Sequence, residues 1–234
     1  MAGIARGDLA LLQSVSLFEE LDEEALEAIH EAAQSRPLKP GSVLFRQDDP
    51  ARALYVLRTG RLRVAELTPE GHEVLLRFIE PGHAVGLMAA LEGTAYPATV
   101  GAAEESRVLS WGRDAIERLM EHHPRLARNA MRLMVGRIRE LQQRVVELAT
   151  ERVEQRVART ILRLVRQAGR RTDEGVLLDM ALSRQDLAAL TGTTLFTVSR
   201  VLNRWQELGV VAIGRQRIVL RRPHDLVALA ESLA

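Results

Sequence analysis

Apolar positions in the last quarter of the chain repeat with the period of a helix, in two short stretches separated by Gly192. In the first stretch, Leu187 and Leu190 share one face of a helix. Ser183 followed three residues later by Asp186 is similar to a capping box, so the helix is expected to begin there. Gly192 suits a tight turn after this helix, because glycine adopts positive φ without strain.

The second stretch predicts an amphipathic helix that begins after Thr194, a good N-cap residue. Val198, Leu202 and Trp205 fall at i, i+4 and i+7 and so form its apolar face. Two short helices around a tight turn indicate either a helix-turn-helix, whose second helix enters the major groove of DNA, or an ordinary helical hairpin. The face opposite the apolar one carries Leu195, Phe196, Ser199, Arg200 and Asn203.

Short strand-like runs on both sides of these helices favour the DNA-binding interpretation. They occupy residues 176–182, 210–213 and 217–220, and a short turn at 214–216 joins the last two. A strand, two helices and a hairpin together compose a winged helix. The polar residues 169–175, before the first run, are expected to form a loop.

The pattern changes to short alternating runs between residues 37 and 111. Turn-forming pairs such as Pro-Gly, Asp-Pro and Thr-Gly interrupt the runs at intervals of roughly ten residues. A helix capped by Asp22 precedes them and extends to about residue 33. Regular short strands of this kind predict a β-sandwich or barrel, with strands at residues 43–46, 53–58, 62–67, 73–79 and 100–111.

A long helix is predicted from Pro124 to about residue 150. Its apolar residues alternate in spacings of four and three, which is the a/d seam of a coiled coil. Because such a repeat indicates a partner helix, we expect a parallel homodimer, with packing inside a single chain as the alternative. The seam consists of Ala127, Met131, Met134, Ile138, Leu141, Val145 and Leu148.

Charge and composition narrow the class of protein. The 234 residues carry a net charge of +1, but residues 151–234 alone carry 14 Arg and 9 acidic residues, which fits a polyanionic partner such as DNA. Since the chain has no cysteine, disulfides and cysteine-held iron–sulfur clusters are excluded. No apolar run approaches the length of a membrane span and the N-terminus is too polar for a signal peptide. We therefore expect no membrane partner and a cytoplasmic location.

Four segments resemble the CRP/FNR family of bacterial transcription regulators. The segment T-V-S-R-V-L-N-R-W-Q-E-L-G-V-V at 197–211 resembles the recognition helix and wing entry of that family. The other three resemble the β-roll of the cyclic-nucleotide-binding domain. They are G-S-V-L-F-R-Q-D-D-P-A at 41–51, L-Y-V-L-R-T-G-R-L-R-V at 54–64 and G-H-E-V-L-L-R-F-I-E-P-G at 71–82.

The resemblance implies a regulatory function and an α+β chain with three parts. The three parts are an N-terminal double-stranded β-helix (β-roll) sensor domain at 1–123, a dimerisation helix at 124–150 and a C-terminal winged helix-turn-helix at 151–234. The expected partners are a second copy of the chain, a palindromic DNA operator and RNA polymerase. The residues do not distinguish an activator from a repressor, and we expect an activator. The alternative is a constitutive DNA-binding protein with a vestigial sensor.

Candidate DNA contacts follow from the same resemblance. Family members carry R-E-T-V-x-R or V-E-T-x-S-R, in which Glu accepts a hydrogen bond from cytosine and Arg contacts guanine. Here the segment is L-F-T-V-S-R, so Arg200 matches, whereas Phe196 replaces Glu and can pack on a thymine methyl group. The central bases of each half-site should therefore differ from those of other members. The candidate contacts are Ser183, Arg184, Gln185, Thr194, Leu195, Phe196, Ser199, Arg200, Asn203, Arg204, Arg215 and Arg217.

The residues that hold cyclic nucleotides in the family are replaced in this chain. Members that bind these ligands carry G-E-(L/I) at the start of a short helix, an Arg-Ser or Arg-Thr pair, and a Thr-Ser pair on the dimer helix. A phosphate without a partner is costly in an apolar pocket, so neither cAMP nor cGMP is expected to bind tightly. Gly86 is retained, and the other positions hold Leu87, Pro97-Ala98 and Leu141-Gln142.

The identity of the effector stays open. The segment Y-P-A-T is similar to FNR-type and nitric-oxide-responsive members, but the cysteines of oxygen-sensing FNR proteins are missing. One hypothesis is a small apolar or planar effector, haem included, and the other is a filled core that senses nothing. The candidate pocket residues are His83, Gly86, Leu87, Met88, Tyr96, Pro97, Ala98, Leu141 and Gln142. The histidines lack metal-ligand spacing and no catalytic constellation is found, so neither a metal site nor enzymatic activity is expected.

Overall fold

The computed structural model describes residues 6–69, 71, 73–214 and 217–231. It divides into two compact units between Glu140 and Leu141. The helical elements of the first unit are α1 (Arg6–Ser14), a 3₁₀ turn (Ser16–Phe18), α2 (Glu23–Glu31), α3 (Leu87–Glu92) and α4 (Arg113–His122). Its strands are β1 (Gln34–Leu38), β2 (Val43–Phe45), β3 (Ala53–Thr59), β4 (Leu62–Leu67), β5 (Glu73–Ile79), β6 (Ala84–Val85), β7 (Thr99–Ala102) and β8 (Ser106–Gly112).

These strands form two antiparallel sheets, in the orders β1-β8-β3-β6 and β2-β7-β4-β5. Residues from both sheets meet in one apolar core that includes Leu57, Leu62 and Val108. A second core, which includes Trp111 and Phe18, packs the helices against the first sheet. The strands predicted at 43–46, 53–58, 62–67 and 73–79 and the helix capped by Asp22 are confirmed, whereas the run at 100–111 forms two strands, β7 and β8. The sheets together form the predicted β-roll.

The edge strand β1 was not predicted from the pattern of residues. It is exposed along most of its length and contains Pro37, so it has neither the alternation nor the composition typical of a strand. Its backbone pairs antiparallel with β8, from Gln34 opposite Ser110 to Leu38 opposite Ser106. Proline is tolerated on an edge strand because one side of the strand needs no backbone donor.

The long helix α5 runs from Pro124 to Thr150, as predicted, and contains the boundary between the two units. Its buried residues include Leu126, Asn129 and Ala130, near its N-terminal end. Asn129 Nδ2 donates hydrogen bonds to the carbonyl oxygens of Leu17 (3.1 Å) and Glu19 (2.7 Å). This end of α5 is therefore anchored to the 3₁₀ turn of the first unit.

The second unit is a winged helix-turn-helix, as predicted. Its four strands form one antiparallel sheet in the order β11-β12-β10-β9. After the last turns of α5, its elements are α6 (Val153–Ala168), β9 (Gly169–Thr172), β10 (Gly175–Leu178), α7 (Arg184–Thr191), α8 (Leu195–Glu207), β11 (Val211–Gly214), β12 (Arg217–Leu220) and α9 (Pro223–Glu231).

The prediction of a loop at residues 169–175 is wrong. Arg170 pairs with Leu177 and Arg171 with Val176, so this segment contributes strand β9 at the edge of the sheet. Its residues are polar and mostly exposed, which explains why the apolar pattern did not reveal a strand.

Candidate nucleic-acid interface

Helix α7 begins at a reciprocal pair of hydrogen bonds between Ser183 and Asp186. The Asp186 backbone N–H donates to Ser183 Oγ at 3.0 Å, and the Ser183 backbone N–H donates to Asp186 Oδ2 at 3.0 Å. These bonds satisfy two donors that the first turn of a helix leaves unpaired. The capping box predicted from the sequence is therefore confirmed.

The turn between α7 and α8 is closed by Gly192, whose φ is +61°. Its backbone N–H donates to Ala189 O at 3.3 Å, and that of Thr193 donates to Ala188 O at 3.0 Å. Helix α8 then begins at Thr194, whose side-chain oxygen accepts from the Thr197 backbone N–H at 3.2 Å. Both predictions for this turn are confirmed, and they fix the direction in which α8 leaves it.

The apolar face of α8 is fully packed inside the second unit. Val198 and Trp205 have no exposed surface and Leu202 is 1% exposed. The indole Nε1 of Trp205 donates a 2.8 Å hydrogen bond to Glu154 Oε1 on α6. The predicted inner face is confirmed, and this hydrogen bond adds a polar attachment that the sequence did not reveal.

The opposite face of α8 is open to solvent and carries the predicted DNA contacts. Phe196 is 75% exposed and Leu195 is 46% exposed. Arg200, Asn203 and Arg204 are exposed on the same helix, and Ser199 is half-buried. Two exposed apolar side chains beside polar and basic residues make this face a candidate interaction surface.

Arg184 and Asn203 form a contact that joins the two helices of the motif. Arg184 Nη2, at the start of α7, donates to Asn203 Oδ1 on α8 at 3.3 Å. Sequence reasoning placed both residues at the interface but gave no sign of their pairing, since they lie 19 positions apart. The bond holds the Asn203 amide toward α7.

A cleft of about 240 Å³ lies between α7, α8 and the β11–β12 hairpin. Ser183, Arg184 and Arg217 place polar groups along it, while its other lining residues are apolar or glycine. Arg217 also lies 3.6 Å from the carboxylate of Glu174. The cleft thus brings together predicted contacts from α7 and the wing, and Arg215 lies outside the described residues.

The predicted effector residues divide between the interior of the β-roll and its surface. Leu87, Tyr96 and Ala98 are buried, whereas His83, Met88 and Pro97 are exposed. His83 Nδ1 lies 3.3 Å from Glu80 O. Leu141 and Gln142 are exposed on α5. The seven candidates of the first unit therefore do not all line one interior pocket.

Tyr96 fills part of the interior of the roll. Its ring stacks on Phe45 with centroids 3.7 Å apart and planes 17° apart. Its hydroxyl donates to Ala53 O at 2.6 Å and accepts from the Ala53 backbone N–H at 3.2 Å. Burial raises the pKa of Tyr96 to about 12. A Cβ atom at Gly86, where φ is +80°, would lie only 3.0 Å from this ring. Tyr96 thus packs directly over the start of α3.

Neither His83 nor Tyr96 offers a free ligand atom to a haem inside the roll. His83 is exposed, and the Tyr96 hydroxyl is already bonded to the Ala53 backbone on both its donor and acceptor sides. Within the described part of the chain, no three His, Asp or Glu side chains are grouped so that they could hold a metal ion. In that same part, no helix has both the length and the apolar character needed to cross a bilayer.

The fold and this surface define a class: DNA-binding regulators with a roll-shaped sensor domain. Two family models match the corresponding segments, the cyclic nucleotide-binding domain at residues 35–123 and the Crp-like helix-turn-helix domain at residues 155–229. The transcriptional activator protein Anr of Pseudomonas aeruginosa is 31% identical over 209 residues, which cover 89% of this chain and 84% of Anr. The chain belongs to the CRP/FNR family of transcription regulators.

Solved structures agree with this assignment. FixK2 from Bradyrhizobium japonicum superposes with a TM-score of 0.73 at 26% identity, covering 86% of this chain and 99% of FixK2. A CRP-family transcriptional regulator from Thermus thermophilus superposes with a TM-score of 0.71 at 30% identity, covering 84% of this chain and 97% of that one. The protein is therefore a DNA-binding transcription regulator with a cyclic nucleotide-binding-like domain.

Proposed function

We propose that the protein is a homodimeric transcription activator that binds an inverted-repeat operator through helix α8 of each subunit. The single observation that carries this proposal is the division of α8 into two faces. Val198 and Trp205 anchor the helix inside the unit, while Phe196 and Arg200 stand exposed on the other side. A rigidly held helix with an exposed apolar and basic face is suited to the major groove.

The candidate contacts have two different tasks in this proposal. Arg200 and Phe196 contact base edges, with Arg200 donating to a guanine and Phe196 packing on a thymine methyl group. A second group contacts phosphates and fixes the register of the protein on the duplex. It consists of Ser183, Arg184, Gln185, Thr194, Arg204 and the wing residues Arg215 and Arg217. Leu195, Ser199 and Asn203 complete the face of α8 that enters the groove.

The apolar seam of α5 supports the homodimer. Met131 is 57% exposed, Ile138 54% and Val145 65%. Leu141 and Leu148 continue the stripe with 50% and 46% of their surfaces exposed. A stripe of this length on one helix is stabilised when a second copy covers it, because apolar surface leaves water. Regulators with Crp-like helix-turn-helix domains typically act as dimers.

Cyclic nucleotides are not the effector in this proposal. Leu87 is buried at the position where family members that bind cyclic nucleotides carry Glu, and Tyr96 packs over the adjacent Gly86. The interior of the roll offers apolar and aromatic groups where a cyclic phosphate would need cationic and amide donors. The stacking of Tyr96 on Phe45 also favours the second candidate function, a constitutive DNA-binding regulator whose roll senses no ligand.

One experiment tests both DNA recognition and the exclusion of cyclic nucleotides as effectors. The purified full-length protein is first used to select binding sites from random double-stranded DNA. Its affinity for the selected operator is then measured by fluorescence anisotropy, without additions and with cAMP or cGMP. We expect an inverted repeat, bound by a dimer, with the same affinity in all three conditions. A selection that yields no common sequence would refute DNA recognition, and tighter binding with cAMP would refute the proposal on the effector.

A further inference from the structure

Each of the last carbonyl groups of α7 accepts a hydrogen bond. The backbone N–H groups of Thr193 and Gly192 satisfy the carbonyls of Ala188 and Ala189. The next three carbonyls along the chain are those of Leu190, Thr191 and Gly192. They lie past the last backbone donors of the helix and need partners from elsewhere.

Two arginine side chains from other helices supply those partners. Arg144 Nη2, on α5, donates to Leu190 O at 2.7 Å. Arg156, on α6, donates through Nε to Thr191 O at 3.0 Å and through Nη2 to Gly192 O at 3.5 Å. Positive charge at the C-terminal end of a helix is also favourable, because the exposed carbonyls carry partial negative charge.

An apolar contact joins the same two elements. A Cβ atom at Gly192 would lie 2.6 Å from Leu148 Cδ2, so this side chain packs directly on the backbone of the turn. Leu148 lies one helical turn after Arg144, and both belong to the last turns of α5. The end of α7 and the turn after it are thus held to the end of the helix that carries the apolar seam by one hydrogen bond, from Arg144, and by the packing of Leu148.

We propose that Arg144 is a positioning residue that fixes the start of α8 relative to the end of α5, while Arg156 holds the same turn to α6. This inference rests on the proposed function, since it concerns how a dimer presents its two recognition helices. Leu141, Val145 and Leu148 lie on the same stretch of α5 as Arg144, so pairing of two α5 helices fixes both turns at once. Arg144 therefore sets the spacing between half-sites that the dimer accepts.

The test compares Arg144→Gln with the wild-type protein on a series of operators. The spacer between the selected half-sites is shortened or lengthened by one and two base pairs, and the affinity for each operator is measured. The wild type should prefer one spacer strongly. In Arg144→Gln, affinity for that spacer should fall about tenfold, as expected for the loss of one hydrogen bond from a charged donor, while the other spacers change less.

Arg139→Gln is the matched control, because Arg139 is exposed on the same helix and five positions before Arg144. It loses the same charge and should keep the wild-type spacer preference. Arg144→Lys keeps the charge but not the guanidinium geometry, and it replaces Arg144→Gln in the test if that variant unfolds. Its preference for one spacer length should lie between the preferences of the wild type and Arg144→Gln.

The outcomes separate this inference from the function on which it rests. A purely structural role would lower affinity for all spacers, and for an isolated half-site, by the same factor. That result, or an unchanged spacer preference in Arg144→Gln and Arg144→Lys, would overturn the inference and leave DNA binding intact. A wild-type protein that selects no sequence would refute the proposed function and this inference together.

Discussion

The indole nitrogen of Trp205 and the carboxylate of Glu154 are joined by a 2.8 Å hydrogen bond across two helices of the second unit. Trp205 is completely buried on α8, and Glu154 lies in the first turn of α6. The bond leaves the buried indole N–H satisfied, which an apolar contact alone would not do. It therefore fixes the rotation of α8 about its own axis as well as its distance from α6.

Trp205→Phe is predicted to destabilise the protein by about 1–3 kcal/mol, because it removes the hydrogen bond and leaves a gap beside the smaller ring. The measurement is urea unfolding followed by circular dichroism. Glu207→Gln, at an exposed position on the same helix, is the control and should change stability by less than about 0.5 kcal/mol. Equal stability of Trp205→Phe and wild type would show that the bond contributes little.

Val145→Glu is predicted to prevent dimer formation without unfolding the chain. Val145 is 65% exposed within one subunit, so a single chain tolerates a charge there. In a paired seam the carboxylate would be buried without a partner, and the dissociation constant should rise on the order of 100-fold. Sedimentation velocity measures this constant. Arg139→Glu, outside the seam, is the control, and an equally tight Val145→Glu dimer would place the interface elsewhere.

Local sequence signals predicted the helix-turn-helix well. The caps formed by Ser183 with Asp186 and by Thr194 with Thr197 involve residues three positions apart, so the sequence itself displays them. The burial of Val198, Leu202 and Trp205 followed from helical periodicity alone. Periodicity also revealed the strands of the roll that have one buried face.

Contacts between distant residues left no such signal. Arg144 and Leu190 are 46 positions apart, and nothing near either residue indicates the other. The stacking of the Tyr96 ring on Phe45 inside the roll likewise had no signal in the sequence. Strand β9 was missed because it lies at the edge of its sheet and is polar. Such features depend on tertiary packing, which a local pattern does not encode.

The Tyr96 hydroxyl is predicted to make the stability of the protein fall at alkaline pH. Its pKa is about 12 in the folded protein against 10.0 for the ordinary side chain, because burial opposes the phenolate. The unfolded chain thus loses the proton first, and stability that is complete below about pH 10 is lost as the pH rises toward 12.

Unfolding by urea at several values from pH 8 to pH 11 measures this dependence in wild type and in Tyr96→Phe. The variant should lack the Tyr96 contribution and show a flatter decline, although it is less stable at pH 8 because it loses the hydrogen bond to Ala53 O. Parallel profiles for the two proteins would show that the pKa of the Tyr96 phenol is the same in the folded and the unfolded chain.

Phe196 is predicted to select a base without contributing to stability. Because the side chain is 75% exposed, Phe196→Ala should alter the free energy of unfolding by less than about 0.5 kcal/mol. It should weaken binding to the selected operator by about 1 kcal/mol or more if the ring packs on a thymine methyl group. Arg200→Ala, at a proposed base contact on the same helix, should cost about 1–3 kcal/mol per half-site and is the positive control.

Phe196→Glu sharpens this prediction because it introduces the residue that other family members carry at this position. A carboxylate accepts a hydrogen bond from the amino group of cytosine but offers no favourable contact to a thymine methyl group. The variant should therefore prefer operators in which cytosine replaces thymine at one position of each half-site, and parallel site selections with both proteins would identify that position. Identical selected sequences would show that Phe196 lies away from the bases, and its exposed ring would then belong to a different contact.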